Sequence, residues 1–150
     1  MTIVKILANE QRHTPPGVLY YPVPVKAGFP SPAADYMEER IDLNAEYIKH
    51  PLSTFLVDCE GDSMINAFIP PKAKLIVDRS LTARNGDVVL AVVNGELTVK
   101  YLRKTDFKCW LVAANVKYND IEITEEMNMQ IWGVVTTILI STKEAPLCML

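Results

Sequence analysis

The chain of 150 residues carries 15 basic and 18 acidic side chains and has a formal net charge of −3. This length fits one domain with its own core. The absence of any basic run disfavours direct nucleic-acid binding, which needs clustered Lys and Arg against the phosphates. No stretch approaches the ~20 apolar residues of a membrane span, and no secretory signal is recognisable. We therefore expect a cytoplasmic protein that contacts neither membrane nor nucleic acid directly.

Three cysteines, Cys59, Cys109 and Cys148, lie far apart and form no Cys-x-x-Cys pair. Such an odd, sparse set predicts free thiols in a reducing compartment, without a disulfide framework or a zinc site. We expect no metal and no cofactor.

A proline-rich stretch, TPPGVLYYPVPVKAGFPSP, holds six of the ten prolines, between Pro15 and Pro32. Proline removes backbone donors and disfavours helix at the residue before it, so the stretch is predicted to be extended and irregular. The N-terminal residues are interpreted as an arm outside the core. Composition alone leaves an ordinary disordered tail as an equal alternative.

Two short helices are predicted next. Ser31 is a candidate N-cap, with Pro32 in the first turn and Asp35 near the positive end of the helix dipole. A second helix is predicted over residues 43–49, ending before Pro51.

The remainder of the chain consists of short β-branched or aromatic runs separated by Gly, Asn, Asp or Pro, which is typical of an all-β body. The runs are STFLVDCE, KAKLIVD, DVVLAVV, GELTVKYL, KCWLVAA and MQIWGVVTTILI. The predicted fold class is therefore mainly β, with short twisted strands.

The clearest local signal is a hairpin around Asn94-Gly95, the preferred pair for a two-residue type I′ turn. Residues 88–93 before the turn are apolar without alternation, which indicates a strand covered on both faces. After the turn the pattern alternates, and Lys100 shares a strand face with Thr98 and Leu102. The sequence thus predicts that Lys100 is at least partly buried.

The run STFLVDCE stops at Gly61-Asp62-Ser63-Met64, and Ser63 is either a turn residue or a nucleophile. The histidines, His13 and His50, lie in the arm and beside Pro51, so neither is on a core strand where it would face Ser63. No Gly-x-Ser-x-Gly elbow occurs either. If Ser63 is a nucleophile, its base is therefore expected to be a lysine.

Lys100 is the candidate base. Neutralising a lysine at pH 7 costs about 4.6 kcal/mol from its ordinary pKa, and burial in a dry site supplies much of this. Taken alone, a strand lysine that reaches solvent with its ammonium group is the commoner arrangement.

Three segments carry a resemblance to a known family: GFPSPAADYMEERIDLN, GDSMINAFIPPKAKLIVD and GDVVLAVVNGELTVKYL. In this order they closely resemble the UmuD family, the self-cleaving accessory subunits of error-prone DNA polymerases, within the LexA-like Ser/Lys peptidases. The resemblance covers roughly residues 26–142. It implies a LexA-like β-body with an extended N-terminal arm.

The resemblance implies a role for each matched residue. Ser63 is the nucleophile, and Lys100 is the neutral base that takes its proton and later gives it to the leaving amine. Backbone N–H groups of Asp62 and Ser63 form the oxyanion hole. The scissile bond corresponds to Ala27-Gly28, where small side chains let the backbone approach the serine. Residues 1–27 are then a removable arm, and residues 28–150 the peptidase-like domain.

The family also implies partners. These are a homodimer mate, the RecA filament on single-stranded DNA as activator of the cut, and a Y-family, UmuC-like polymerase subunit that assembles with the cut form for translesion synthesis. The peptidase then acts as a one-time switch of the SOS response to DNA damage.

Three rival interpretations remain. The peptidase part of a LexA-type repressor needs a DNA-binding domain before the cleavage site, and 27 proline-rich residues are too few for one. A signal peptidase needs a membrane anchor, and none is predicted. A non-catalytic β-rich interaction module, with Ser63 as a plain turn residue and Lys100 as a structural residue, is the non-enzymatic alternative.

Overall fold

The computed structural model describes residues 17–22, 24–28 and 39–144, and the chain divides into two compact units, Met1–Lys49 and His50–Leu150. In the first unit, β1 (Val18–Tyr20) pairs antiparallel with β2 (Glu39–Ile41). The proline-rich stretch is thus extended at β1, as predicted. Its pairing with β2 was not predicted, because a three-residue strand shows no periodic pattern.

The first unit also contains helix α1 (Leu43–Tyr47). The side chain of Asp42 caps it by accepting hydrogen bonds from the N–H groups of Asn44 and Ala45 at 2.9 and 3.4 Å. The predicted helix over 43–49 is confirmed but ends earlier, because Ile48 is already extended. The helix predicted to begin at Ser31 lies outside the described residues.

The second unit is built on one antiparallel sheet of seven strands in the order β3-β4-β9-β5-β6-β7-β8. The mainly β fold is confirmed, and each of the six predicted runs forms a strand. β8 was missed, since its three residues are too few to show alternation. The strands are β3 (Thr54–Asp58), β4 (Lys74–Asp78), β5 (Val88–Val93), β6 (Glu96–Lys104), β7 (Cys109–Val112), β8 (Ile121–Ile123) and β9 (Met129–Leu139).

The hairpin between β5 and β6 has the predicted turn. Asn94 and Gly95 have φ values of 49° and 85°, as a type I′ turn requires. The turn fixes the register, so that Val89 lies opposite Lys100. In the middle of β5, Val89, Leu90 and Ala91 are all buried, which confirms that this strand is covered on both faces.

Two apolar clusters form the core, and alternate residues of β5 belong to different clusters. Leu90 joins the larger cluster with Met64, Ile69, Leu75 and Val77. The smaller cluster consists of Val89, Ala91, Leu102 and Leu111. Because Met64 follows Ser63 directly and is only 2% exposed, the larger cluster anchors the turn that carries Ser63.

Strand β9 lies between β4 and β5 and contains two bulges. The register shifts by one residue against β5 at Trp132 and against β4 at Thr136. Each extra residue bends the strand and increases its twist. Four strand spacings of about 4.8 Å separate β3 from β6. In a flat sheet these two strands would therefore be roughly 19 Å apart. The bends in β9 therefore help to bring the end of β3 towards β6.

Gly133, beside the first bulge, is expected to be intolerant of a side chain. An added Cβ would lie 2.6 Å from Val77 Cγ1 and 2.9 Å from the carbonyl oxygen of Asp78. We expect Gly133→Ala to lower the free energy of unfolding by about 1–3 kcal/mol, as overpacking does, measured by urea unfolding followed by circular dichroism. Gly28→Ala is the control, since nothing lies within 4 Å of its added Cβ. Equal unfolding midpoints for the two variants would contradict the prediction.

Candidate active site

Ser63 lies in a tight turn that follows β3. Gly61 has φ of 78°, a conformation that L side chains rarely adopt, so the turn favours glycine at this position. A single 3-10 turn, Ile65–Ala67, follows, and its preceding residue Met64 is buried in the core. The turn thus presents Ser63 at the surface of the core, and Ser63 itself is half-buried.

The structure brings Ser63 together with Lys100 of β6. Lys100 Nζ lies 2.9 Å from Ser63 Oγ, within hydrogen-bonding distance. Lys100 is 8% exposed, which confirms the burial predicted from the strand pattern. The two residues are 37 positions apart in the chain, and in the sheet β4, β9 and β5 lie between β3 and β6.

Burial governs the electrostatics of Lys100. Desolvation lowers the pKa of Lys100, and Cys59 opposes the shift only when its thiol is ionised. Burial likewise raises the pKa of the Cys59 thiol, so this thiol stays in its neutral form at neutral pH. A lysine with a lowered pKa carries a larger neutral fraction, and only the neutral amine accepts a proton.

Within the described residues, Lys100 Nζ has three hydrogen-bonding partners. Besides Ser63 Oγ, it donates to Thr98 Oγ1 and to the carbonyl oxygen of Val99, both at 3.0 Å. A neutral amine has two N–H groups and one lone pair. If Thr98 and Val99 take the two N–H groups, the lone pair faces the Ser63 hydroxyl. The same three contacts suit the ammonium form, which donates all three N–H groups.

Ser63 and Lys100 line an open cleft of about 310 Å³. Its walls combine apolar side chains with the carboxylate-bearing residues Asp58 and Glu60. Val57, Leu90 and Leu97 supply the apolar part of the lining.

The backbone of the turn offers hydrogen-bond donors. Among the described residues, neither the N–H of Asp62 nor that of Ser63 has a hydrogen-bond acceptor. The carbonyl of Ser63, in contrast, accepts from the loop after β7, and the carbonyl of Asp62 accepts both from that loop and, at 3.2 Å, from the N–H of Ile65. An oxyanion hole needs such uncommitted donors next to the nucleophile.

Sequence reasoning missed three side chains at this site. Thr98 contacts the lysine, while Asn115 and Tyr118 reach the Ser63 turn from the loop after β7. The alternation of β6 already placed Thr98 on the face of Lys100. The partners of Asn115 and Tyr118 are more than 50 positions away in sequence, so no local pattern indicated them.

His50 lies elsewhere, and it is hydrogen-bonded through Nδ1 to Asp78 at 2.5 Å. It is not a contact of Ser63, which agrees with its exclusion as the base. His13 lies outside the described residues. Ala27 and Gly28 are exposed within the first unit. In the part of the chain that the structure describes, no side-chain cluster suits a metal ion, and no helix is long and apolar enough to cross a membrane.

Comparison with known proteins identifies the family. Residues 19–136 match the family model described as Peptidase S24-like. The chain therefore belongs to the S24-like peptidases, in their UmuD-like branch, and is a serine peptidase by family. This confirms the predicted class, a peptidase related to the SOS response.

Individual relatives support the same assignment. The chain is 41% identical to SamA of Salmonella typhimurium, over 78% of this chain and 81% of SamA. It is 37% identical to MucA of Escherichia coli, over 87% of each chain. Similarity to the LexA repressor of Desulfatibacillum aliphaticivorans is 32% identity over 77% of this chain, but over only 57% of that repressor.

Proposed function

We propose that the chain is a self-cleaving serine peptidase that uses Ser63 as nucleophile and Lys100 as general base to cut its own Ala27-Gly28 bond. The observation that carries the proposal is the 2.9 Å contact between Lys100 Nζ and Ser63 Oγ, made by a lysine whose pKa is lowered by burial. A non-catalytic module has no use for a buried amine aimed at a serine hydroxyl. The S24-like family supports the same chemistry.

The reaction proceeds in two acyl-transfer steps. Ser63 Oγ attacks the carbonyl carbon of Ala27 while its proton passes to Lys100 Nζ, and the oxyanion is stabilised by the N–H groups of Asp62 and Ser63. Lys100 then gives this proton to the nitrogen of Gly28 as the peptide bond breaks, which leaves an ester between Ala27 and Ser63. Water hydrolyses the ester, with Lys100 again accepting the proton.

The cut releases residues 1–27 and leaves residues 28–150 as the active form. We propose that this form is a homodimer that assembles with a Y-family, UmuC-like polymerase subunit, and that the RecA filament on single-stranded DNA stimulates the cut. The UmuD-like relatives support these partners, which are all proteins, as does the lack of a basic run for direct binding of nucleic acid. Both the division of the chain at residue 27 and the cytoplasmic location are part of the proposal.

Incubation of the purified chain at alkaline pH, and separately with an activated RecA filament, tests the function by fragment mass. We expect one cut after Ala27, absent from Ser63→Ala. The rate should rise with pH as Lys100 loses its proton, and level off above the folded-state pKa of Lys100, which lies below 10.5. An intact chain under both conditions, or a rate that falls with pH, would refute the proposal.

A further inference from the structure

One loop holds the nucleophile turn in place. The segment 113–118, which follows β7, is called the clamp loop below. Its Ala114 N–H donates to the carbonyl oxygen of Ser63 at 2.9 Å, and its Asn115 Nδ2 donates to the carbonyl oxygen of Asp62 at 2.9 Å. In return, the N–H of Asn66 donates to the carbonyl oxygen of Ala114 at 2.9 Å. The clamp loop thus binds the carbonyl groups of both Asp62 and Ser63, which precede and follow the Ser63 N–H in the chain.

The planarity of the peptide unit transmits this contact to the other side of the turn. The carbonyl of Asp62 and the N–H of Ser63 belong to one trans peptide group, in which they point in opposite directions. When Asn115 binds the carbonyl oxygen, it therefore aims the N–H of Ser63 away from the clamp loop. That N–H is one of the two donors without an acceptor among the described residues.

We propose that Asn115 is a positioning residue for acyl transfer, which orients the Ser63 N–H toward the oxyanion by binding the carbonyl of Asp62, with Tyr118 holding the Asp62 side chain. This role rests on the proposed function, because it needs the Asp62-Ser63 turn to serve as the oxyanion hole. The proposal adds Asn115 and Tyr118, in the loop after β7, to the proposed catalytic pair of Ser63 and Lys100.

Tyr118 secures the same turn through a side chain. Its hydroxyl donates to Asp62 Oδ1 at 2.5 Å, which ties the carboxylate to the clamp loop. The hydrogen bond to Asp62 and the negative charge of that carboxylate raise the pKa of Tyr118 above 10.0. The hydrogen bond therefore favours the protonated phenol, which is the form that donates to Asp62.

The internal hydrogen bonds of the clamp loop allow a sharp test. Asn115 Oδ1 accepts from the N–H of Lys117 at 3.1 Å, while Nδ2 donates to Asp62. Asn115→Asp keeps the shape and the acceptor that order the loop, but removes the side-chain donor to the carbonyl oxygen of Asp62, which then keeps only the 3.2 Å contact from the N–H of Ile65. Lys117→Ala is a matched control in the same loop, because only the backbone N–H of Lys117 takes part. Tyr118→Phe removes a hydroxyl and leaves the ring.

The measurement is the single-turnover rate of self-cleavage of the full-length chain across pH, with the urea unfolding midpoint of each variant. We expect Asn115→Asp and Asn115→Ala to lower the rate plateau about 10- to 100-fold, somewhat less than direct loss of an oxyanion donor. Tyr118→Phe should lower it about threefold to tenfold, and Lys117→Ala should leave it unchanged. The midpoint of the pH profile should stay in place in Asn115→Ala, because this change adds no charge near Lys100.

A merely structural role for the clamp loop gives a different result. A loosened site would admit water to Lys100 and move the pH midpoint upward, towards the ordinary lysine pKa. Such a shift in Asn115→Ala, or the parent rate in Asn115→Asp, would overturn the inference while the parent chain still cuts itself. A parent chain that does not cut would instead remove the proposed function, and this inference with it.

Discussion

Replacement of Lys100 by methionine is expected to abolish self-cleavage. The buried amine is the only basic group hydrogen-bonded to Ser63 Oγ within the described residues, and loss of a general base costs about 10²- to 10⁴-fold in rate. Methionine has a similar length and suits the apolar cleft, so the fold should persist. The fragment yield after prolonged incubation at alkaline pH measures the effect. Lys104→Met, at an exposed position of the same strand, is the control and should cleave like the parent.

The same variant tests the state of Lys100 by stability. Burial lowers the folded-state pKa of Lys100 below the unfolded value near 10.5, so the unfolded chain binds more protons between the two values. The free energy of unfolding of the chain that contains Lys100 therefore increases as pH rises through that window. In a Ser63→Ala background, the difference in this free energy between the Lys100→Met chain and its parent should shrink as pH rises from about 7 to about 10. A constant difference would contradict a lowered pKa.

Asp78→Ala is expected to cause the largest loss of stability. Asp78 is 4% exposed and accepts hydrogen bonds from the His50 ring, from the Ser53 hydroxyl, and from both the hydroxyl and the N–H of Ser80. Alanine leaves these donors without their acceptor. Since one hydrogen bond to a charged group contributes about 1.5–3 kcal/mol, we expect a loss of about 3 kcal/mol in urea unfolding at pH 7. The exposed Asp58 serves as control, and Asp58→Ala should change stability by less than about 0.5 kcal/mol.

The effect of Asp78 also depends on pH. Burial alone would raise the pKa of Asp78, but the hydrogen bonds from Ser80, His50 and Ser53 outweigh it and hold this pKa well below the ordinary 3.8. The contribution of Asp78 is therefore complete above the unfolded-state pKa of 3.8 and declines as pH falls below it. The stability gap between the parent and Asp78→Ala should accordingly be smaller at about pH 3 than at about pH 7. An equal gap at both values would mean that the carboxylate is not held in its charged form.

The sequence predicted the parts of the site that depend on short-range patterns. The Asn94-Gly95 turn fixed the register of β6, and alternation along that strand predicted the burial of Lys100. The choice of Ser63 as its partner came from the family resemblance and from the exclusion of the histidines. The contact agrees with that choice. The distance between Ser63 Oγ and Lys100 Nζ depends on strands that are not neighbours in sequence, and residue patterns do not predict that distance.

The missed parts are long-range or small. The bulges at Trp132 and Thr136 arise from the pairing of β9 with two partners at once, which one strand's sequence does not reveal. The hydrogen bond of Asn115 to Asp62 joins polar residues of two loops, and hydrophobic periodicity does not predict contacts between loops. The Asp78 cluster was missed for the same reason, since its donors come from the segments before β3 and after β4.

The position of β9 has a consequence for protein synthesis. The strand pair β3-β4 carries the serine turn, the pair β5-β6 carries the lysine, and β9 is the strand that joins the two pairs in the sheet. A nascent chain in which residues 129–139 are still inside the ribosome holds both Ser63 and Lys100 but lacks the strand that connects their two halves. The order of translation therefore delays assembly of this sheet until β9 has emerged, long after the N-terminal residues.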